Sequence, residues 1–186
     1  CERVIPRAEN CPEGPFLELP EGAVDVVYVL ASSECSENCG SKEAPYAGIQ
    51  EAVDAVPGGA YVLVGPGVYG EGVLINRSVH LLGLCASLVF VTGVVELPGE
   101  YPEVLPAGVA VTGTEFVEVG GLAVSSPAVG LATAGARNVH VHDVELAGIA
   151  GFGLYVGDDS TVTAEDLWVH DVVPVGGSEF MTGCGV

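Results

Sequence analysis

Positive charge is what this sequence has least of. Its 186 residues hold 5 Lys and Arg against 25 Asp and Glu, a net charge of −20. Phosphate backbones are gripped through Lys and Arg, so nucleic acid is excluded as a partner. An anionic membrane surface is repelled by the same charge. The residues contain neither an apolar run of membrane-spanning length nor a secretory signal pattern. They contain no phosphate loop, nucleophile elbow or Cys–His pairing either. Cys35 and Cys39 have no second Cys or His pair close in sequence, which excludes a compact zinc module. Tryptophan occurs once, at Trp168.

What is present is Val, Gly and half a chain of apolar residues. At 49% hydrophobic and 16% charged, the chain can bury a substantial core. Six cysteines in an acidic, lysine-poor sequence point to an oxidising compartment, with the pairing left open. Cys11, Cys35, Cys39 and Cys85 are expected to staple the first segment. A mature bacterial lipoprotein begins on an acylated cysteine, and this chain begins on Cys1. The expectation is a lipid on Cys1, contact with a membrane only through that anchor, and a place outside the cell, at the cell surface, or in the periplasm.

The organising signal is a repeat. Gly108, Gly130 and Gly153 start units that recur at about 22 residues, a period that marks a solenoid. Val117 and Val119 recur as Val139 and Val141, then as Val162 and Ala164. Leu122 and Val124 recur as Val144 and Leu146, then as Leu167 and Val169. One such unit cannot bury its own apolar residues and must stack on a copy. Upstream, Ile49, Ala52, Val53 and Val56 share one helical face, and Pro57-Gly58-Gly59 stops the helix. Strands are expected from Val24 to Leu30, Ala60 to Val64, Val73 to Ile75, Ser78 to Gly83 and Leu88 to Val91. Residues 1–23 read as tether or lead-in, and residues 24–186 as stacked coils. Gly183-Cys184-Gly185-Val186 reads like the start of one more coil, so a longer parent protein is expected.

Three segments carry a family resemblance: Ile49-Gln50-Glu51-Ala52-Val53-Asp54-Ala55, Val62-Leu63-Val64-Gly65-Pro66-Gly67-Val68-Tyr69, and Val79-His80-Leu81-Leu82-Gly83. With the later repeats, this resembles the opening of right-handed parallel β-helix proteins of the pectin-lyase-like superfamily. The resemblance implies an all-β, right-handed parallel β-helix with a short N-terminal capping helix. It leaves the activity open, because the superfamily includes lyases, hydrolases, esterases and noncatalytic surface proteins.

Strand alternation then turns Glu118, His140 and Thr163 outward in one column, and Gly120, His142 and Glu165 in the next. Two imidazoles with carboxylate oxygens suit zinc, so Glu118, His140, His142 and Glu165 form a candidate metal set. The bland alternative is a solvated face on which His and Glu pair across coils. Trp168 and Tyr155, with Glu145, are candidates for stacking on and hydrogen bonding a sugar; packing under a loop is the competing role for the rings. Asp143, Glu165 and Asp166 are candidate catalytic acids. A glycosidase needs two carboxyls about 5–10 Å apart, a test that coils about 4.8 Å apart meet almost anywhere. Asp158-Asp159-Ser160 falls where other coils turn. A lyase is disfavoured: Arg137 is the sole basic residue of the repeats, and an anionic polymer meets a surface of like charge.

These readings converge on an exported, lipid-anchored, noncatalytic β-helix with a binding or adhesive face for polysaccharide or a surface protein. It needs no cofactor, with a divalent cation (calcium or zinc) as an option. The alternative is a polysaccharide hydrolase or lyase using outward acids.

Overall fold

The computed structural model describes residues 11–19, 21–96, 106–126, 128–157 and 159–173. Cys1, Cys184, Asp158, the coil start at 183–186 and most of the stretch between Glu96 and Pro106 lie outside the described residues.

The chain enters through β1 (Val26–Val29) and α1 (Ile49–Ala55). Strands then come in threes. β2 (Ala60–Val64), β3 (Gly67–Tyr69) and β4 (Val73–Ile75) form one coil; β5 (Val79–Gly83), β6 (Val89–Val91) and β7 (Ala107–Thr112) form the next. β8 (Glu115–Gly120), β9 (Ala123–Val124) and β10 (Val129–Ala134) follow. In the coil after that, the first two strands fuse into β11 (Arg137–Ala147), with β12 (Phe152–Gly157) behind it, and β13 (Val162–His170) opens another turn. The named strands all pair in parallel. The order β1-β2-β5-β8-β11 makes one side, β3-β6-β9-β11 a second and β4-β7-β10-β12 a third, with β13 paired to β11. This is a right-handed parallel β-helix.

Alternation explains why these residues stack. Val62, Leu81, Val119, Val141 and Ala164 are register partners in successive coils. The first four are fully buried. Each such Val or Leu contributes about 1.5–3 kcal/mol on leaving water. Between the first and second sides the chain must bend, and it does so through left-handed residues. Gly121, Asp143 and Asp166 hold that place in consecutive coils, with φ of 65°, 51° and 48°. Gly and Asp are among the few residues that enter this region at low cost.

The helix caps the first coil as the sequence predicts, and its anchoring comes from the strands. Ile49, Ala52 and Val53 face the core. The Gln50 side chain accepts from the Leu74 amide (2.6 Å) and donates to the Leu74 carbonyl (3.2 Å), pairing with an edge strand as another strand would. The helix N-terminus is capped from a distance: Glu71 accepts from the amides of Ile49 (2.6 Å) and Gln50 (3.1 Å).

Several boundaries differ from expectation. β1 begins at Val26, because Asp25 takes φ 53° and breaks the extended run, leaving Val24 exposed. The helix ends at Ala55, with Val56 already extended though still buried. Between the expected strands Ala60 to Val64 and Val73 to Ile75, Gly67 starts a further strand, β3. Residues 11–19 are irregular and lie against the outside of the first side. There Phe16 is buried and meets Tyr28 edge-on at 4.9 Å, beside Leu63 and Leu82. Disulfides join Cys11 to Cys85 and Cys35 to Cys39. Among the described residues, no helix is long and apolar enough to cross a membrane.

Candidate functional site

Parallel register gathers the outward polar groups of the first side. Tyr61, His80, Glu118, His140 and Thr163 are successive partners on β2, β5, β8, β11 and β13. Leu82, Gly120, His142 and Glu165 form the adjoining row. The expected columns are therefore present, and each gains a member from β5.

Glu118 sits at the centre. Its Oε2 accepts from His80 Nδ1 at 2.6 Å, and its Oε1 lies 3.1 Å from His142 Nε2. His142 Nδ1 is 2.9 Å from Asp143 Oδ2, so both ring nitrogens of His142 face carboxylates. The His140 ring stands 4.9 Å from the His142 ring, and its Nε2 is 3.9 Å from Glu165 Oε2. Ligand-capable atoms of Glu118, His140 and His142 all lie within 4.8 Å of one another. Tyr61 stacks on His80 with ring centroids 4.3 Å apart.

The His142 ring has room because its register partner is Gly120. A Cβ built on Gly120 would stand 2.5 Å from His142 Cε1 and 2.6 Å from Nε2. Glycine here clears the place where the imidazole lies.

Sequence reasoning missed His80. It lies upstream of Gly108, where the 22-residue period begins in the sequence. The available signal was Val79-His80-Leu81-Leu82-Gly83 laid over Val117-Glu118-Val119-Gly120-Gly121, which places His80 on Glu118.

The other candidates fall elsewhere. Asp143 and Asp166 occupy the left-handed bend, where Asp143 holds His142. Glu165 is exposed beside His140. Trp168 and Glu145 are register partners on the second side. There the Trp168 ring stacks on His170 at 3.6 Å, and His170 reaches Glu145 and Asp171, each at 2.8 Å. His170 was not singled out from sequence, although strand alternation puts it on the face of Trp168. Tyr155 belongs to β12 on the third side, half-buried against an outward cluster that includes Ala110 and Ala132. The expected trio of Trp168, Glu145 and Tyr155 is thus split between two sheets.

Electrostatics couple the centre. Partial burial pushes the Glu118 carboxyl up, but hydrogen bonds and positive charge from His80 and His142 outweigh it and hold it below its ordinary 4.5. Burial likewise pushes His142 down, and Asp143 and Glu118 outweigh it and raise it above 6.5. A depressed carboxyl contributes stability above its unfolded pKa and loses it as pH falls through the folded value. A raised imidazole contributes below its unfolded pKa and loses it as pH rises through the folded value. The pair is therefore fully stabilising between about pH 4.5 and 6.5 and fades on both sides. The overall charge of −20 adds its own pH dependence, so the comparison is between variants. In chelator-treated protein, the stability difference between wild type and Glu118→Gln is expected to peak near pH 5.5 at about 1 kcal/mol. Thermal melts from pH 4 to 9 check it, and a flat difference would remove the coupling.

No family model and no curated protein matches this sequence. Among solved structures, a pectin methylesterase mutant in complex with a hexasaccharide is similar, with a TM-score of 0.54 and 13% identity. The match covers 84% of this chain and 58% of that one, so this chain spans little more than half of its length. At such identity the likeness speaks for architecture alone. Together with the stacked parallel strands, it establishes that the chain is a parallel β-helix protein.

Proposed function

We propose that this chain is an exported, noncatalytic β-helix that holds an extended carbohydrate along the outward face of its first side. The observation that carries this reading is the row Tyr61, His80, Glu118, His140 and Thr163, one hydrogen-bonding or ring-bearing group per coil. Coils about 4.8 Å apart make such a row a periodic strip suited to a polymer rather than a pocket for a small molecule. The two disulfides favour an oxidising compartment. A hexasaccharide complex of a similarly folded protein supports the substrate class without assigning it.

With a net charge of −20, the partner is a neutral or methyl-esterified polysaccharide rather than a polyuronate. Affinity electrophoresis across both kinds of polymer is the test. Neutral or esterified chains should retard the protein, and His80→Ala with His140→Ala should weaken that about tenfold, the loss of roughly one good polar contact. Release of reducing ends or methanol would replace this reading with the enzymatic one. No retardation by any glycan would end it.

A further inference from the structure

The geometry points to a divalent transition-metal site, best suited to Zn²⁺, with Glu118, His140 and His142 as its protein ligands. This stands whether or not the face takes a carbohydrate.

Four observations carry it. First, the three side chains come from adjacent paired strands, β8 and β11, whose register sets Glu118 opposite His140 and Gly120 opposite His142. Their donor atoms already lie within 4.8 Å of one another, so small χ rotations bring them round one ion. Second, the His142 ring is oriented from behind. Its Nδ1 lies 2.9 Å from Asp143 Oδ2 and its Nε2 3.1 Å from Glu118 Oε1; in the neutral ring, with the one N–H on Nδ1 donating to Asp143, Nε2 is the atom left to bind a cation. A neutral imidazole has one N–H and can satisfy one of these carboxylates. A cation between Nε2 and Oε1 satisfies the other. Carboxylate–imidazole–metal relays of this kind fix the tautomer and raise ligand basicity.

Third, the second oxygen of Glu118 is held by His80 at 2.6 Å, so the central ligand also has an outer partner. Fourth, Gly120 supplies the clearance for the His142 ring, which any side chain at that position would take. Two nitrogens and one oxygen are a poor set for calcium, which takes six to eight oxygens, and a good one for zinc. Three protein ligands leave a fourth position open, and the ligand side chains are only partly covered, so solvent or a ligand oxygen can reach it. Glu165 Oε2 lies 3.9 Å from His140 Nε2.

The test uses the whole chain, stripped with chelator and with any free thiol alkylated, so that no thiol competes for metal. Zinc is titrated against a chromophoric chelator in 0.15 M and 0.5 M NaCl, and Co²⁺ is added for its d–d spectrum. The expected result is one ion per chain, insensitive to salt, with a low-symmetry four- or five-coordinate cobalt spectrum. His142→Gln and His140→Ala should each weaken binding more than about 100-fold, and Asp143→Asn about 10–100-fold, the range for outer partners. Circular dichroism and melting of each variant without metal separate lost ligands from lost fold. His170→Ala, on the neighbouring side, should change nothing. Overturning results are several weak salt-sensitive ions per chain, as a counterion cloud on an acidic surface gives, or unchanged affinity in a folded His142→Gln.

Discussion

Replacing Cys11 and Cys85 together with serine should lower the unfolding free energy by about 4 kcal/mol, whereas the same change at Cys35 and Cys39 should cost about half that. The contrast comes from loop length. The first bridge closes a separation of 74 residues and the second a separation of 4. A cross-link stabilises chiefly by removing conformations from the unfolded chain, and the loss grows with the logarithm of the enclosed length. The long bridge also pins residues 11–19, whose Phe16 and Leu17 lie over Leu63 and Tyr28. Urea denaturation of both double variants checks the ratio, and limited proteolysis should cut within 11–19 only when the long bridge is gone. Equal losses at the two bridges would show that the chain-entropy account does not hold here.

Which residues sequence could and could not place follows a physical line. Val117, Val119, Val139 and Val141 were legible because burial on one face of a strand writes itself as alternation, and stacking writes itself as a period. The capping helix was legible from Ile49, Ala52 and Val53. Its anchors were not. Glu71 reaches the helix N-terminus across 22 residues, and no local pattern marks a carboxylate that caps at a distance. The Cys11–Cys85 bridge was equally hidden, since spacing alone does not choose among six cysteines.

The site divides the same way. Glu118, His140 and His142 could be brought together because they sit inside regular coils, where register follows from the repeat. His80 lies one coil upstream, before the 22-residue period begins in the sequence, so its contact with Glu118 stayed out of sight. Tyr155 went astray for another reason. Outward position along a strand says nothing about which of three sides the strand is on, and β12 lies on the third. Asp143, a candidate acid from the sequence, takes φ 51° in the bend and bonds His142, a placement that strand alternation does not reveal.

Gly120 and Gly121 should respond to substitution in opposite ways. Gly121→Val should cost about 3–4 kcal/mol, a drop in Tm of roughly 10 °C for a chain of this size. Gly121 holds φ 65°, which a β-branched residue adopts at about 1–2 kcal/mol. Its Cβ would also collide with the Gly83 carbonyl on the coil below. That carbonyl belongs to the backbone and cannot step aside without parting β5 from β8. Overpacking of this kind typically costs a further 1–3 kcal/mol or about that. Gly120→Ala meets only the tip of a movable side chain, the His142 ring. The imidazole can swing outward, so stability should fall by about 1–2 kcal/mol, the scale of its two lost hydrogen bonds. The ring then leaves Glu118 and Asp143, and zinc affinity should fall as far as it does in His142→Gln. Melting curves and zinc titration on the same two proteins read both effects. A stable, zinc-binding Gly120→Ala would mean that the imidazole does not need that clearance, and a neutral Gly121→Val would mean that the coils are not in backbone contact there.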